Sequence, residues 1–285
     1  MRWEGHRQSE NVEDARSAGS GFHLGGGSLS LGTVAIAVLA GWLFGINPLT
    51  ILGLMDGGAP SGPAQVQRPP ADDTMARFVS TVLGDTEDVW HEKFRQSGRT
   101  YREPRLQLYR GTTRTACGPG QAAMGPFYCP ADERVYIDLG FYEVMKSRLG
   151  APGDFAQAYV IAHEVAHHVQ KLMGVTEQVE ALSAQAGGTQ ANALSVRLEL
   201  QADCLAGVWA HDAQAARQVL EEGDIEEALN AASQIGDDAL QRRAQGTVMP
   251  ESFTHGTSTQ RVTWFKRGFQ TGSVEQCDTF QARQL

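Results

Sequence analysis

DFAQAYVIAHEVAHHVQKLMG, residues 154–174, is the most informative stretch of this 285-residue chain. Its apolar residues recur at every third or fourth position, as they do in a helix with one buried face. Asp154 and Gln157 predict a capping box at the start of the helix, and Gly174 predicts its end. The spacing therefore predicts one amphipathic helix across the whole stretch.

Within this helix, His163, Glu164 and His167 form an HExxH motif. Side chains four residues apart lie on one face of a helix, so both imidazoles can bind the same metal ion. Glu164 projects beside them, where it can accept a proton from a zinc-bound water. His168 lies one position off that face, and we interpret it as a neighbour of the site and not as a ligand. The motif predicts a hydrolytic zinc centre.

A catalytic zinc ion usually has three protein ligands and one open position. The candidate for the third ligand is Glu199 in SVRLELQADCLAGVWAH, residues 195–211, which is a second helical pattern. Asp203 shares its face and can accept the free ring N–H of a ligating histidine, which fixes the tautomer of that ring. The alternative is that both acids are solvated on a helix surface, but the apolar flanking residues favour burial. We expect one zinc ion per chain.

The chain is moderately acidic, with a formal net charge of −9 and 20% charged residues. Phosphate binding needs a basic surface, and neither a block of like charges nor an RNA-binding signature is present in the sequence. We therefore expect no nucleic-acid partner.

The first part of the chain predicts a membrane anchor ahead of one globular domain. Residues 1–28 form a polar, Gly-rich leader without a core of its own, and residues 29–54 carry no charged side chain. Residues 55–73 form a Pro/Gly/Ala-rich linker to a domain at 74–285. An apolar run of roughly 20 residues is long enough for a transmembrane helix. A cleaved secretory signal and a buried core helix are the alternatives for the apolar run.

The charges on either side of the apolar run predict its orientation. Arg2, Arg7 and Arg16 precede it, and the first basic residue after it is Arg68. The positive-inside rule then keeps the leader in the cytoplasm. The sequence thus predicts a single-pass protein of the plasma (inner) membrane whose catalytic domain faces the periplasm or extracytoplasmic space.

The four cysteines, Cys117, Cys129, Cys204 and Cys277, form no C-x-x-C pair, so neither a zinc ribbon nor a thioredoxin-like site is expected. In an oxidising compartment they form two disulfides, for which three pairings exist. Cys117–Cys129 is the local choice and leaves Cys204–Cys277. The alternative is four reduced cysteines in a cytosolic domain.

Several segments are similar to those of known zinc peptidases. HExxH followed by E-x-Q-A-D at 199–203 resembles the gluzincin arrangement, which integral-membrane peptidases share. SFTHGTSTQRV at 252–262 resembles their T-H-P-P-x-x-x-R segment, with Gly256 and Thr257 in place of the prolines. The closer resemblance is to a bacterial family of single-anchor neutral zinc metallopeptidases. It is carried by MRWEGHRQSENVED at 1–14, GPFYCPADERVYIDLGFY, ELQADCLAGVW and THGTSTQRVTWF, and it covers nearly the whole chain.

The resemblance implies an α+β, zincin-like domain in which a small sheet packs on the HExxH helix. Carried over residue by residue, it implies that His163, His167 and Glu199 are ligands. It also implies that His255 points its ring at the oxyanion and that Arg261 braces that segment. In zincins an edge strand near the metal binds extended substrate through its backbone, and we expect ERVYID, with Tyr136 and Asp138, to be that strand.

The expected activity is hydrolysis of peptide bonds in proteins or peptides, with Glu164 activating a zinc-bound water. Two other functions stay open. One is a zinc amidase that acts on cell-wall peptides, because zinc and glutamate chemistry serves many amide bonds. The other is a non-catalytic, membrane-tethered binding protein with the same fold, against which the intact Glu164 argues.

Overall fold

The computed structural model describes residues 1–17, 67–121 and 125–285, which form an α+β fold, as the sequence predicts. The strands are β1 (Val12–Asp14), β2 (Arg105–Tyr109), β3 (Thr112–Thr115), β4 (Gly118–Gln121), β5 (Phe127–Cys129) and β6 (Arg134–Asp138). Four of them form a sheet in the order β1-β2-β6-β5, in which β5 alone is antiparallel to its neighbour. Strands β3 and β4 form a separate hairpin.

The helix that carries HExxH lies at the centre of the helical layer. The helices are α1 (Thr74–Gln96), α2 (Gly140–Val144), α3 (Asp154–Met173), α4 (Val175–Gln185), α5 (Gly188–Arg217), α6 (Asp224–Gln234), α7 (Asp237–Gln245) and α8 (Ser258–Thr271). Helix α3 contacts α1, α4, α5 and α6 on its sides and strands β5 and β6 of the sheet. A small sheet therefore packs on the HExxH helix, in agreement with the expected arrangement.

The predicted end of α3 is confirmed, whereas the predicted capping box at its start is wrong. Gly174 ends the helix in the left-handed conformation at φ 81°, as predicted. The capping box at its start is absent, because Gly153 is the N-cap residue and no side chain caps the helix. The Asp154 carboxylate instead accepts a hydrogen bond from the amino group of Met1 at 2.6 Å. The positive end of the helix dipole also stabilises an acidic side chain in the first turn.

Helices α5 and α8 approach each other closely because two glycines face each other. A Cβ atom on Gly207 would lie 2.2 Å from the Phe265 carbonyl oxygen, and one on Gly268 would lie 1.8 Å from the Cys204 carbonyl oxygen. Side chains larger than hydrogen would force the helices apart. This contact fixes α8, whose first turn supplies Arg261 to the candidate site.

Both expected disulfides are present in the structure. Cys117 pairs with Cys129 and ties the β3–β4 turn to the end of β5, and Cys204 pairs with Cys277 and ties α5 to the C-terminal segment. Their Cα–Cα distances are 5.8 and 5.5 Å, within the range of native disulfides. The local pairing is confirmed.

Residues 1–17 differ from the predicted polar leader without a core. Val12–Asp14 forms strand β1, which pairs in parallel with β2, and Met1 and Val12 belong to the hydrophobic core. The domain therefore includes residues that precede the apolar run, although α1 does begin at the predicted Thr74. One membrane crossing at residues 29–54 would separate β1 from β2, and the predicted orientation stays a prediction.

The apolar run itself, residues 29–54, lies outside the described residues, as does most of the predicted linker. Among residues 1–17, 67–121 and 125–285, no helix is both long and apolar enough to cross a membrane.

The prediction that the ERVYID segment is an edge strand is also wrong. Strand β6, with Tyr136 and Asp138, lies inside the sheet and pairs with both β2 and β5. Because β5 pairs with β6 alone among the described strands, β5 is the edge strand on the side of α3.

Candidate metal centre

Three side chains from two helices meet at the centre of the domain. His163 and His167 are one turn apart on α3, and Glu199 lies on α5. One ligand atom from each lies within 4.8 Å of the others. The Glu199 carboxylate faces both rings, with its oxygens 3.1 Å from His163 Nε2 and 3.5 Å from His167 Nε2.

These distances fit a zinc ion. Tetrahedral ligands at about 2.0–2.2 Å from zinc lie roughly 3.4 Å from one another. The two N···O distances, 3.1 and 3.5 Å, bracket that value. Two imidazole nitrogens and a carboxylate oxygen also form a donor set that suits zinc. The structure thus brings together the three ligands named from the sequence, and their binding of metal stays a prediction.

Asp203 orients His163 from the side opposite Glu199. Its Oδ1 lies 2.9 Å from His163 Nδ1 and accepts a hydrogen bond from the Tyr159 hydroxyl at 2.5 Å. Arg261 binds the same carboxylate through Nε at 2.8 Å and Nη2 at 2.9 Å. Asp203 is fully buried, so this pairing with Arg261 offsets the cost of burying its charge. Asp203 therefore occupies the position expected for a carboxylate that fixes the ring of a ligand.

The pKa values around His163 reflect this arrangement. Burial alone would lower the pKa of His163, but the Asp203 charge and the hydrogen bonds that the ring donates to Asp203 and Glu199 raise it to about 10. Burial would raise the pKa of Glu199, but His167 and His163 hold it well below its usual range. Without metal, His163 is therefore an imidazolium between two carboxylates at neutral pH. Metal binding must displace the proton on Nε2.

Gln170 orients His167, and sequence reasoning missed it. Its Oε1 lies 2.8 Å from His167 Nδ1, and its Nε2 donates to the Leu198 carbonyl at 2.8 Å and to Gln201 Oε1 at 3.0 Å. Because a carbonyl can only accept, the amide nitrogen must face Leu198, and its oxygen must face His167. His167 is then protonated on Nδ1, and its Nε2 lone pair is free for a metal.

Glu164 lies beside the cluster without a hydrogen-bond donor from any described residue. It is 8% exposed. Burial raises its pKa, and the charges on His163 and His167 oppose that rise. A carboxylate with a raised pKa and free oxygens is suited to accept a proton from water. Its position agrees with the catalytic base named from the sequence, a role that stays a prediction.

His255 lies on the loop before α8, and Asp237 holds that loop. One oxygen of Asp237 accepts from the backbone N–H groups of Thr254, His255 and Gly256 at 2.8, 2.6 and 3.0 Å. The other oxygen lies 3.2 Å from His255 Nδ1. The hydrogen bond to Asp237 is the main reason that the pKa of His255 is raised, and the Glu199 charge adds to it.

These contacts give Arg261 a role other than the expected one of bracing the His255 segment. Its guanidinium binds Asp203, and Asp237 at the start of α7 is the residue that braces the His255 loop. Asp237 was missed because its partners lie 17–19 residues away in sequence. The acidic pair after Gly236 signals only the start of a helix.

His168 faces away from the cluster, as expected of a neighbour. Its Nε2 donates to the Arg102 carbonyl at 2.6 Å, which leaves Nδ1 to accept from the Tyr128 hydroxyl at 2.9 Å. The ring is fully buried, and burial lowers its pKa. His168 therefore joins α3 to β5 as a neutral side chain.

Comparisons with known proteins find relatives along nearly the whole chain. A family model described as "Putative neutral zinc metallopeptidase" matches residues 1–280. The uncharacterized protein YpfJ of Escherichia coli strain K12 is 54% identical over 289 residues, which cover 98% of this chain and 99% of YpfJ. The uncharacterized protein Mb2605 of Mycobacterium bovis is 44% identical over 195 residues, which cover 65% of each chain. No solved structure matches the chain.

Proposed function

The chain belongs to this family of neutral zinc metallopeptidases, and we propose that it hydrolyses peptide bonds with one zinc ion held by His163, His167 and Glu199. The observation that carries the proposal is the convergence of these three ligand atoms beside Glu164. The Glu164 carboxylate is buried and has no hydrogen-bond partner among the described residues. The family description supports the proposed reaction class, and the geometry supports the proposed roles of the residues.

The protein prepares the site before any metal arrives. Asp203 and Gln170 each accept the Nδ1–H of one histidine, so both Nε2 atoms face Glu199. A bound zinc ion supplies a Lewis acid that polarises the scissile carbonyl and lowers the pKa of a coordinated water.

The side chains around the ligands carry the proton transfers. Glu164 takes the proton of the attacking water and delivers it to the leaving amine, for which its raised pKa is suitable. His255, whose pKa is raised by its hydrogen bond to Asp237, donates a hydrogen bond to the carbonyl oxygen of the scissile bond as negative charge develops there. About half of the His255 side chain is exposed, so substrate can reach it.

Strand β5 is the surface that we expect to bind the substrate. It has an unpaired edge among the described strands, it lies against α3, and Tyr128 on it contacts His168 next to HExxH. An extended peptide can add to such an edge through backbone hydrogen bonds. The Cys117–Cys129 disulfide anchors the end of this strand.

We further propose that the enzyme works at the plasma membrane and outside the cytoplasm, on protein or peptide substrates. The two disulfides support an oxidising location. Attachment through residues 29–54 rests on the apolar sequence, which lies outside the described residues.

Peptide hydrolysis by the purified full chain tests the activity. A panel of unrelated peptides and cell-wall peptide amides is incubated with wild type, Glu164→Gln and a matched control, Glu180→Gln, which changes an exposed glutamate on α4. We expect peptide cleavage that Glu164→Gln lowers by on the order of 10²–10⁴-fold and that the control leaves unchanged. Cleavage of the cell-wall amides alone, or equal rates for wild type and Glu164→Gln, would contradict the proposal.

A further inference from the structure

Residues 1–17 are joined to the domain by apolar contacts and backbone pairing. Val12 is 4% exposed and lies in strand β1, which continues the sheet beside β2. The Trp3 ring meets Phe78 of α1 edge-on, with ring centroids 5.4 Å apart. The segment therefore contributes to the same core as the catalytic helices.

A buried carboxylate outside this segment depends on it for its charge balance. Glu87 on α1 has a side chain that is 1% exposed, and it accepts hydrogen bonds from Arg7 at 2.9 Å, Ser9 at 2.5 Å and Asn11 at 2.8 Å. Without residues 1–17, Glu87 would be a buried charge without these partners, which is strongly destabilising. The domain is thus incomplete when the segment is elsewhere.

Glu13 on β1 is a buried carboxylate of the N-terminal segment itself, and its partners lie elsewhere in the domain. Its side chain is 7% exposed and binds Arg105 on β2 at 2.6 Å and also Arg134 on β6. Residues 1–17 and the rest of the domain therefore supply opposite charges to the same ion pairs, as parts of one folded unit do.

The chain rejoins the domain close to where it leaves. The Asp14 N–H donates to the Gln67 carbonyl at 2.8 Å, and Arg16 binds Asp73, the N-cap residue of α1, at 2.6 Å. The two ends of the stretch that contains the apolar residues therefore lie side by side at the β1 edge of the sheet.

We propose that residues 1–17 and the catalytic domain lie on the same side of the membrane, with the Asp14–Gln67 edge of the sheet facing the lipid surface. One crossing between them would put β1 and β2 on opposite sides of a hydrocarbon layer about 30 Å thick. Two helical crossings need roughly 40 apolar residues. The uncharged run at 29–54 is 26 residues long, which is too short for two crossings.

The basic residues that place the leader and the domain on opposite sides of the membrane by the positive-inside rule have partners in the folded domain. Arg7 pairs with Glu87 and Asp88, and Arg16 pairs with Asp14 and Asp73. Their charges complete the fold, so the bias of Lys and Arg near the apolar run has a structural cause besides membrane orientation.

Thiol labelling of the full chain in bacterial membranes tests the proposal. Glu10→Cys reports on the N-terminal segment and Arg95→Cys on the catalytic domain, since their side chains are 80% and 73% exposed. Val12→Cys is the matched buried position two residues from Glu10. A membrane-impermeant maleimide is applied to spheroplasts and to lysed cells, and wild type, whose cysteines are paired, gives the background.

We expect Glu10→Cys and Arg95→Cys to label under the same condition. We also expect Val12→Cys to react at least ~10-fold more slowly than Glu10→Cys until denaturant is added, because a buried thiol reacts only when the structure opens. Labelling of Glu10→Cys and Arg95→Cys on opposite sides would overturn the proposal, and so would equal rates at positions 10 and 12 in the native protein. Neither readout involves zinc or hydrolysis, so a failure here is distinct from a failure of the proposed activity.

Discussion

Replacing Gln170 by leucine separates the orientation of a ligand from the stability of the core. Gln170 is fully buried, and its amide connects His167 to the Leu198 carbonyl at 2.8 Å on each side. Leucine fills a similar volume and makes no hydrogen bond. The His167 Nδ1–H then loses its partner, at about 1–3 kcal/mol, whereas the Leu198 carbonyl lies within α5 and keeps its helical hydrogen bond. We expect the free energy of unfolding to fall by about 1–3 kcal/mol.

The same change should weaken zinc binding beyond its effect on stability. Loss of an outer partner of a ligating histidine typically costs about 10- to 100-fold in metal affinity, or about 1.4–2.7 kcal/mol of binding free energy. Competition with a chromophoric chelator measures the affinity, and chemical denaturation of the metal-free protein measures the stability.

Gln157→Leu is the matched control for this substitution. It makes the same change on the same helix, at a glutamine whose buried Oε1 has no partner among the described residues. We expect its zinc affinity to equal that of wild type. If Gln170→Leu lost stability but bound zinc within about twofold of wild type, the proposed orientation of His167 would be refuted.

The further predictions concern protons, covalent links and the reaction. Calorimetry in buffers of different ionisation enthalpy should show release of about one proton per zinc at pH 7–9, since His163 has a raised pKa of about 10. In the metal-free protein the charged ring stabilises the fold fully below about pH 6.5, and this stabilisation is lost as the pH rises through about 10. Denaturation of the Cys204→Ala/Cys277→Ala variant should show a loss of about 4 kcal/mol, because the disulfide spans 73 residues. His255→Ala should lower kcat by about 10²–10³-fold in steady-state assays with KM nearly unchanged, and Asp237→Asn should lower it less.

The sequence was most informative where one local pattern carried the structure. Helical periodicity predicted α3, and the i,i+4 spacing placed His163 and His167 on one face. The local cysteine pairing also proved right, because the twelve-residue separation of Cys117 and Cys129 favours closure. Glu199 was found because an acid in an apolar helix needs a partner.

Residues that act through tertiary contacts were harder to find. Gln170 looks like an ordinary helical glutamine until its contact with Leu198 on α5 is known. Asp237 reads as an acid in the first turn of a helix, although its carboxylate organises the loop that begins at Thr254.

The N-terminal segment was misread for a related reason. Its polar composition indicated a leader without a core, but those polar side chains are one half of buried ion pairs. Glu13 finds Arg105 across 92 residues of sequence, and Arg7 finds Glu87 across 80. Composition alone does not reveal partners at such separations, and strand β1 is only three residues long.

The zinc content of the purified full chain tests the central claim most directly. The full chain is required because β1 belongs to the domain. Elemental analysis of the wild type should find about one zinc per chain, Glu164→Gln should retain it, and Glu199→Ala should lose most of it on dialysis. A folded wild type without metal, or a Glu199→Ala variant with unchanged zinc, would contradict the assignment of His163, His167 and Glu199 as the metal ligands.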